Sequence, residues 1–421
     1  MRVKILLQIT TDDGAPACAE EIASFGKSVK QAEDLGLSLA ESKMLLAAAQ
    51  QRIVEAQTKN WIEAQRCCEV CSRRRRSKGS YPIIFHTLFG DVKLASPRFH
   101  RCACREGNGR ATVSPLTELL PHHVAPERLY LETRWASLVP YAAAAELLGD
   151  VLPVETGVNA TTLRQHVLRV AERAEAELPK DRCTFMDGSP ADWQTLPVPD
   201  GRIIVGLDGG YVRDWTERKN NFEVIVGRSM PEDGAPRYLG FVHGFDQKPK
   251  RRLVDMLESQ GMQANQDITF LTDGGEEVRA LTERISPCSE HVLDWFHITM
   301  RITVLGQFAK GVVQCDEEAG ARLTKELERI KWKLWHGNTI AAQDVIEDFE
   351  DELSELDVDY PNLRKFIVAA REFAVYIASN TASLINYGER YRSGERISSA
   401  FVEATVNAVV SKRFAKKQQM Q

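Results

Sequence analysis

The 421-residue sequence predicts a multi-domain α+β protein, on three observations. Cysteines and arginines crowd into one short segment, 66–110. Apolar strand-like runs, two of them closed by Asp-Gly-Gly, occupy 200–297. After 297 the pattern is helical for about a hundred residues, then one more helix follows. The length prior is about two to three domains. Hydrophobic content of 43% and charge of 27% are ordinary for a soluble globular chain. No apolar run approaches the ~20 residues that span a bilayer. The apolar stretch near Met1 is too short for a secretory signal, so a cytoplasmic location without membrane contact is expected. Nine cysteines in that compartment are not a disulfide framework, and five of them lie between 67 and 104, which points to metal.

Residues 1–65 are expected to form a helical amino-terminal region. Leu37, Ala40, Met44 and Ala47 share one helical face that packs locally or against a partner subunit. Residues 66–110 read as a basic, zinc-ribbon-like module. Cys68 and Cys71 make one knuckle, Cys102 and Cys104 the other, and a hairpin turning at Gly90-Asp91 lies between. Four thiolates so spaced can converge on Zn²⁺, and the metal supplies folding energy to a segment with little core. The close second pair leaves Cys67 or His100 as alternative ligands, and free thiols on a basic loop as the bland reading. Eleven Lys/Arg stand between Arg66 and Arg110, against Glu69, Asp91 and Glu106. Although the whole chain carries −5, this stripe, with Arg73, Arg74, Arg75 and Arg76 at its centre, attracts phosphate unless it is simply a solvated face. Residues 111–180 read as helices broken near Pro153 and restarted at a cap on Asn159 or Thr161. The layout suits a helix-turn-helix presenting Thr161, Arg164 and Gln165 to a DNA groove, or a plain helical hairpin.

A polar linker is expected over 180–200. Strands follow at 202–208, 222–227 and 237–242, then a helix, a strand at 267–273, a helix and a short strand at 291–294. Three antiparallel-type strands followed by alternating helix and strand fit an α/β RNase H-like core over 200–297 plus 396–421, interrupted by an all-helical insertion over 298–395.

Asp208 and Asp273 each close an apolar run and precede a glycine pair, so a turn at a sheet end is expected, with room for a phosphate backbone. Such carboxylates suit hard cations, Mg²⁺ or Mn²⁺, and paired cations cut and join phosphodiesters. Glu403 sits in a helix with Ile397, Phe401, Val402, Val406, Val409 and Val410 along it, which would dock it on the sheet. Glu389 and Glu395 lack that setting. Lys412 and Arg413 continue the same helix toward phosphate. Trp332 and Trp335 stack on an unpaired base or fill the core of the insertion.

With these parts in this order, the chain resembles the DDE transposases of ISKra-type bacterial insertion sequences. The matching segments are Thr87–Val92, Gly206-Leu207-Asp208-Gly209-Gly210, Thr272-Asp273-Gly274, Leu293-Asp294-Trp295-Phe296-His297 and Phe401–Asn407, within roughly 60–415. The resemblance implies a catalytic triad of Asp208, Asp273 and Glu403. It also implies a supporting Asp-x-x-His pair, Asp294 and His297, and an insertion that helps hold transposon-end DNA. His297 then either hydrogen-bonds near the scissile phosphate, orients a carboxylate, or stabilises the junction of the insertion. The expected activity is metal-dependent hydrolysis and strand transfer at terminal inverted repeats. Double-stranded transposon-end and target DNA are the partners, in a bacterial, nucleoid-associated homo-oligomer with structural Zn²⁺ and no small-molecule cofactor. The family continues beyond the Glu helix, so a chain stopping at Gln421 is expected to be impaired. A non-catalytic DNA-binding derivative and a structure-specific nuclease of the same core are the rivals.

Overall fold

The computed structural model describes residues 1–10, 19–102, 104, 112–154, 158–180, 189–197, 199, 201–214 and 220–411. The fold is mixed α+β with three sheets. The chain divides into two compact units, Met1–Glu175 and Ala176–Gln421.

The first unit opens with strands β1 (Arg2–Leu7) and β2 (Glu20–Gly26), an antiparallel pair. This corrects the expectation of helix throughout 1–65. Val3, Ile5 and Leu7 alternate with polar or exposed neighbours, and β2 completes their ladder. Helix α1 (Leu39–Ala64) starts where Ser38 and Glu41 form a reciprocal capping box. Next come β3 (Ser77–Thr87), β4 (Gly90–His100) and β5 (Thr112–Val113), which form a sheet in that order. The β3–β4 turn lies at Leu88-Phe89, ahead of the expected Gly90-Asp91, because Thr87 pairs directly with Gly90. Val54 of α1 packs with Ile83, Val92 and Leu94 of this hairpin and with Leu116 of α2 (Pro115–Leu119).

Helices α3 (Pro126–Ala136), α4 (Tyr141–Val151) and α5 (Ala160–Glu177) share a small core of Ala136, Ala144, Leu148 and Leu163. Asn159 accepts from the Thr162 amide at 2.9 Å and so starts α5. Arg128 and Glu132, both buried, tie α3 to its neighbours. Arg128 bonds Asp91 at 2.7 Å and Glu132 at 2.8 Å, and Glu132 in turn pairs with His166 of α5.

In the second unit, the described part of the expected linker contains a short helix, α6 (Pro190–Gln194). Strands β6 (Ile203–Arg213), β7 (Asn221–Pro231) and β8 (Arg237–Val242) run antiparallel. Helix α7 (Pro249–Glu258) leads to β9 (Ile268–Thr272), and α8 (Glu276–Thr282) leads to β10 (Ser289–Leu293). The sheet order is β10-β9-β6-β7-β8, with β9 parallel to both β6 and β10. One face of β6 (Ile203, Val205, Leu207) is covered by Leu253, Val254 and Leu257 of α7 and Val278 and Leu281 of α8.

The helical run consists of α9 (Trp295–Val313), α10 (Glu317–Trp335), α11 (Thr339–Ser354), α12 (Leu363–Ser379), a 3₁₀ turn at Thr381–Ser383 and α13 (Tyr387–Arg392). Its core includes Leu271, Val292 and Leu293 from the sheet, so strands and helical run share one apolar interior. Helix α14 (Ala400–Val406), continued by a π turn at Asn407–Ser411, closes the described chain.

Candidate active site and cysteine metal centre

Asp208, Gly209 and Gly210 lie inside β6, paired with Val226, Ile225 and Val224 of β7. The expected turn after Asp208 is therefore absent, because β7 carries the ladder straight through the glycines. Side chains alternate along a strand, so Gly206, Asp208 and Gly210 share one face. Helix α14 lies on that face. A Cβ on Gly206 would collide with Val402 and Phe401, and one on Gly210 would stand 3.3 Å from Val410 and 3.4 Å from Val406. Gly206 and Gly210 thus admit a helix; of the pair after Asp208 expected to give a phosphate backbone room, Gly210 lies under that helix and Gly209 faces Glu223. Along the chain, Glu403 lies between Val402 and Val406, which make the two contacts. Val402, Val406 and Val410 take the sheet-facing positions, and Glu403, a step round the helix from Val402, is exposed.

Asp273 follows the last residue of β9, and here the chain does turn: Gly274 has φ +81°, a conformation that favours glycine. The Gly275 amide holds one carboxylate oxygen of Asp273 at 2.9 Å, and the Gly209 amide holds one of Asp208 at 2.9 Å. Burial raises the Asp208 carboxyl above the usual range. His297 opposes the rise, while Asp273 and Asp294 add to it. His297, Asp273 and Asp294 therefore all act on the Asp208 carboxyl.

Asp294 is 0% exposed. It caps α9 by accepting from the Phe296 amide at 2.8 Å, and it accepts from the Ser399 amide at 3.1 Å and from the Ser399 hydroxyl. The Asp-x-x-His pair is thereby joined to the residue that precedes α14. His297 Nε2 lies 3.8 Å from the Asp294 carboxylate. Of the rival glutamates, Glu395 is engaged with Arg202 at 2.8 Å and Arg390 at 2.5 Å, and Glu389 is exposed.

Several acidic and positioning groups near this locus escaped the sequence reading. Burial raises the Glu223 carboxyl, His243 opposes this, and Asp273 and Glu277 add to it. Glu223 pairs across the ladder with Tyr211 and pushes the Tyr211 phenol up. A charged residue inside the apolar run 222–226 was the available signal. Tyr376, Asn380 and His291 have no motif or spacing to mark them.

Trp335 packs at a tilt against Trp295, ring centroids 4.9 Å apart, at the edge of the apolar interior, whereas Trp332 is exposed beside His336. Thr161, Arg164 and Gln165 form the exposed side of α5, opposite buried Leu163 and His166. Arg73, Arg74 and Arg76 are exposed, and Arg75 is half-buried. Lys412 and Arg413 lie outside the described residues.

Cys68, Cys71, Cys102 and Cys104 form a group able to hold zinc, with all four sulfurs within 4.8 Å of one another. Cys68 and Cys104 are 3.4 Å apart, and Cys71 and Cys102 are 3.2 Å apart. Tetrahedral thiolate coordination at ~2.3 Å separates sulfurs by roughly 3.8 Å, so the donor set fits. The single residue between the second pair is no obstacle, and neither Cys67 nor His100 belongs to the group. Backbone amides of Cys71 and Val70 pull the Cys68 thiol down to about 6, while the neighbouring sulfurs push Cys104 up to about 12. Among the described residues this is the one set of three or more such ligands gathered so tightly; Asp208, Asp273 and Glu403 are not.

No protein-family model matches this chain, and no curated protein matches it. Among the described residues, no helix is long and apolar enough to cross a membrane.

Proposed function

We propose that this chain is a DDE-type transposase with an RNase H-like core, acting on the ends of an insertion sequence. The observation that carries the reading is the seating of α14 over Gly206 and Gly210, on the strand face that Asp208 shares, while Asp273 electrostatically loads the Asp208 carboxyl. A carboxylate whose ionisation is opposed by burial and by a neighbouring carboxylate is relieved by a divalent cation, and the donors here are all hard oxygens. Asp208 and Asp273 would hold Mg²⁺ or Mn²⁺, and Glu403 would complete the set. Bound there, such cations would supply Lewis-acid activation of a water or 3′-hydroxyl and charge neutralisation at the leaving oxygen.

The chain's own residues do the rest. The Gly209 and Gly275 amides orient the carboxylates. Asp294 fixes the start of α9 and, through Ser399, the approach to α14, and His297 offers a hydrogen bond near the reacting phosphate. The cysteine group with Arg73–Arg76, and the exposed Thr161, Arg164 and Gln165 of a helix-turn-helix, would engage terminal-repeat DNA.

The test uses a labelled duplex bearing the element's terminal repeat, with Mg²⁺, and wild type beside Asp273→Asn. Wild type nicks the duplex and joins its 3′ end to a target, and the variant does neither. Equal cutting by both would overturn the reading. The exposed position of Glu403 favours a second reading, a DNA-binding protein that keeps this core as scaffold. It predicts repeat binding without any cutting.

A further inference from the structure

The loop that carries Asp273 is met from the helical run at three points, two of them through hydrogen bonds. The Tyr376 hydroxyl of α12 donates to the Asp273 carbonyl at 2.9 Å. The Tyr376 phenol is pushed well up by burial, so it stays a donor, and the Arg301 guanidinium of α9 lies 4.2 Å from its ring centroid. One turn on, Asn380 is 3% exposed and donates to the Tyr376 carbonyl at 2.9 Å. Its Oδ1, buried without a partner among the described residues, abuts Gly274, 2.8 Å from where a Cβ would stand. The third hold passes through a histidine. The Ser383 hydroxyl bonds His291 Nδ1 at 2.6 Å, and His291 Nε2 bonds the Thr272 hydroxyl at 2.8 Å. That same Thr272 oxygen accepts from the Gly274 amide at 3.0 Å. Tyr376 thus bonds Asp273 directly, Ser383 reaches Thr272 through His291, and Asn380 packs against Gly274.

A β-strand end is ordinarily finished by water, and burying side-chain polar groups against one loop costs desolvation, offset here at Tyr376, His291 and Ser383 but not at the Asn380 Oδ1. What they add is orientation: with its peptide fixed and one oxygen on the Gly275 amide, the Asp273 carboxylate presents its other oxygen in one direction.

We propose that the segment 363–383 is the positioning element of the candidate metal site, with Tyr376 as the principal positioning residue for Asp273. This rests on the reading of Asp273 as a cation ligand. It assigns the helical run a part in building the site, beyond any hold on DNA.

The test compares wild type with Tyr376→Phe, Ser383→Ala and, as a control, Val375→Ala on the exposed side of α12. Amide hydrogen exchange over 270–276 is followed without metal or DNA, and Mn²⁺ binding is followed by electron paramagnetic resonance. In Tyr376→Phe and Ser383→Ala, exchange at Gly274 and Gly275 quickens, and Mn²⁺ binding weakens about three- to tenfold, the scale of one hydrogen bond. Val375→Ala changes neither. If Tyr376→Phe does not fold, Ser383→Ala decides, since it loosens the loop from the far side. Wild-type exchange and Mn²⁺ affinity in both folded variants would overturn the proposal while leaving the metal reading intact. A wild-type chain that binds no Mn²⁺, with exchange that still responds in the variants, sinks the metal reading and upholds the grip.

Discussion

Val402 of α14 occupies the space that a side chain on Gly206 would fill. Helix and strand are therefore in near-backbone contact beside Asp208, and Val402 is fully buried there. A methyl group at position 206 must move a short, β-branched, packed side chain. Overpacking of this kind costs about 1–3 kcal/mol, more than the ~0.4–1 kcal/mol that Gly→Ala gains from the unfolded chain. Gly206→Ala should lower the urea midpoint of the Asp208-bearing unit. Gly210→Ala, whose methyl would meet Val410 at 3.3 Å, should cost less. If Gly206→Ala is as stable as wild type, α14 does not seat where it is described.

The cysteine group makes a separate prediction. The purified chain should carry one zinc, released by a strong chelator and absent from Cys71→Ser. Structural zinc contributes about 10–16 kcal/mol in small zinc peptides, so stripping it should unfold the 66–104 segment while the second unit keeps its melting transition. Metal content by mass spectrometry, with circular dichroism before and after chelation, checks both. Full secondary structure in a zinc-free chain would show that α1 and the Ile83, Val92, Leu94 core suffice.

The sequence carried the cysteine group able to hold zinc because thiols at fixed spacing have few other uses, and the order of strands and helices in 200–297 because apolar runs are hard to disguise. The Gly206–Val402 contact was illegible. It joins positions far apart in the chain, and a glycine that admits a helix reads the same as one that turns a loop. For that reason Asp208-Gly209-Gly210 looked like a strand end and proved to be mid-strand. The amino-terminal hairpin was lost for a related reason: Val3, Ile5 and Leu7 are too few to declare a strand until β2 pairs with them. The grip on Asp273 left no trace either, since a tyrosine and an asparagine on a helix are ordinary until the loop they meet is known.

His291 gives the chain a calculable response to acid. Burial, then Arg279, depress its pKa from 6.5 to about 4, with Asp273 opposing. In the fold it is neutral and bridges Thr272 and Ser383. Between the two pKa values the unfolded chain binds the proton and the folded one does not, so stability rises with pH across that window. The contribution is fully present above about pH 6.5 and is lost as pH falls toward 4. A depression of this size corresponds to at most about 3 kcal/mol. Urea unfolding of the second unit at pH 7 and near pH 4.5 should show that loss in wild type. His291→Gln, which keeps a hydrogen-bonding side chain but cannot titrate, should be less stable than wild type at pH 7 and markedly flatter in pH. An equal slope in both proteins would place the acid sensitivity on other groups, with His291 open to solvent and free to protonate in the fold.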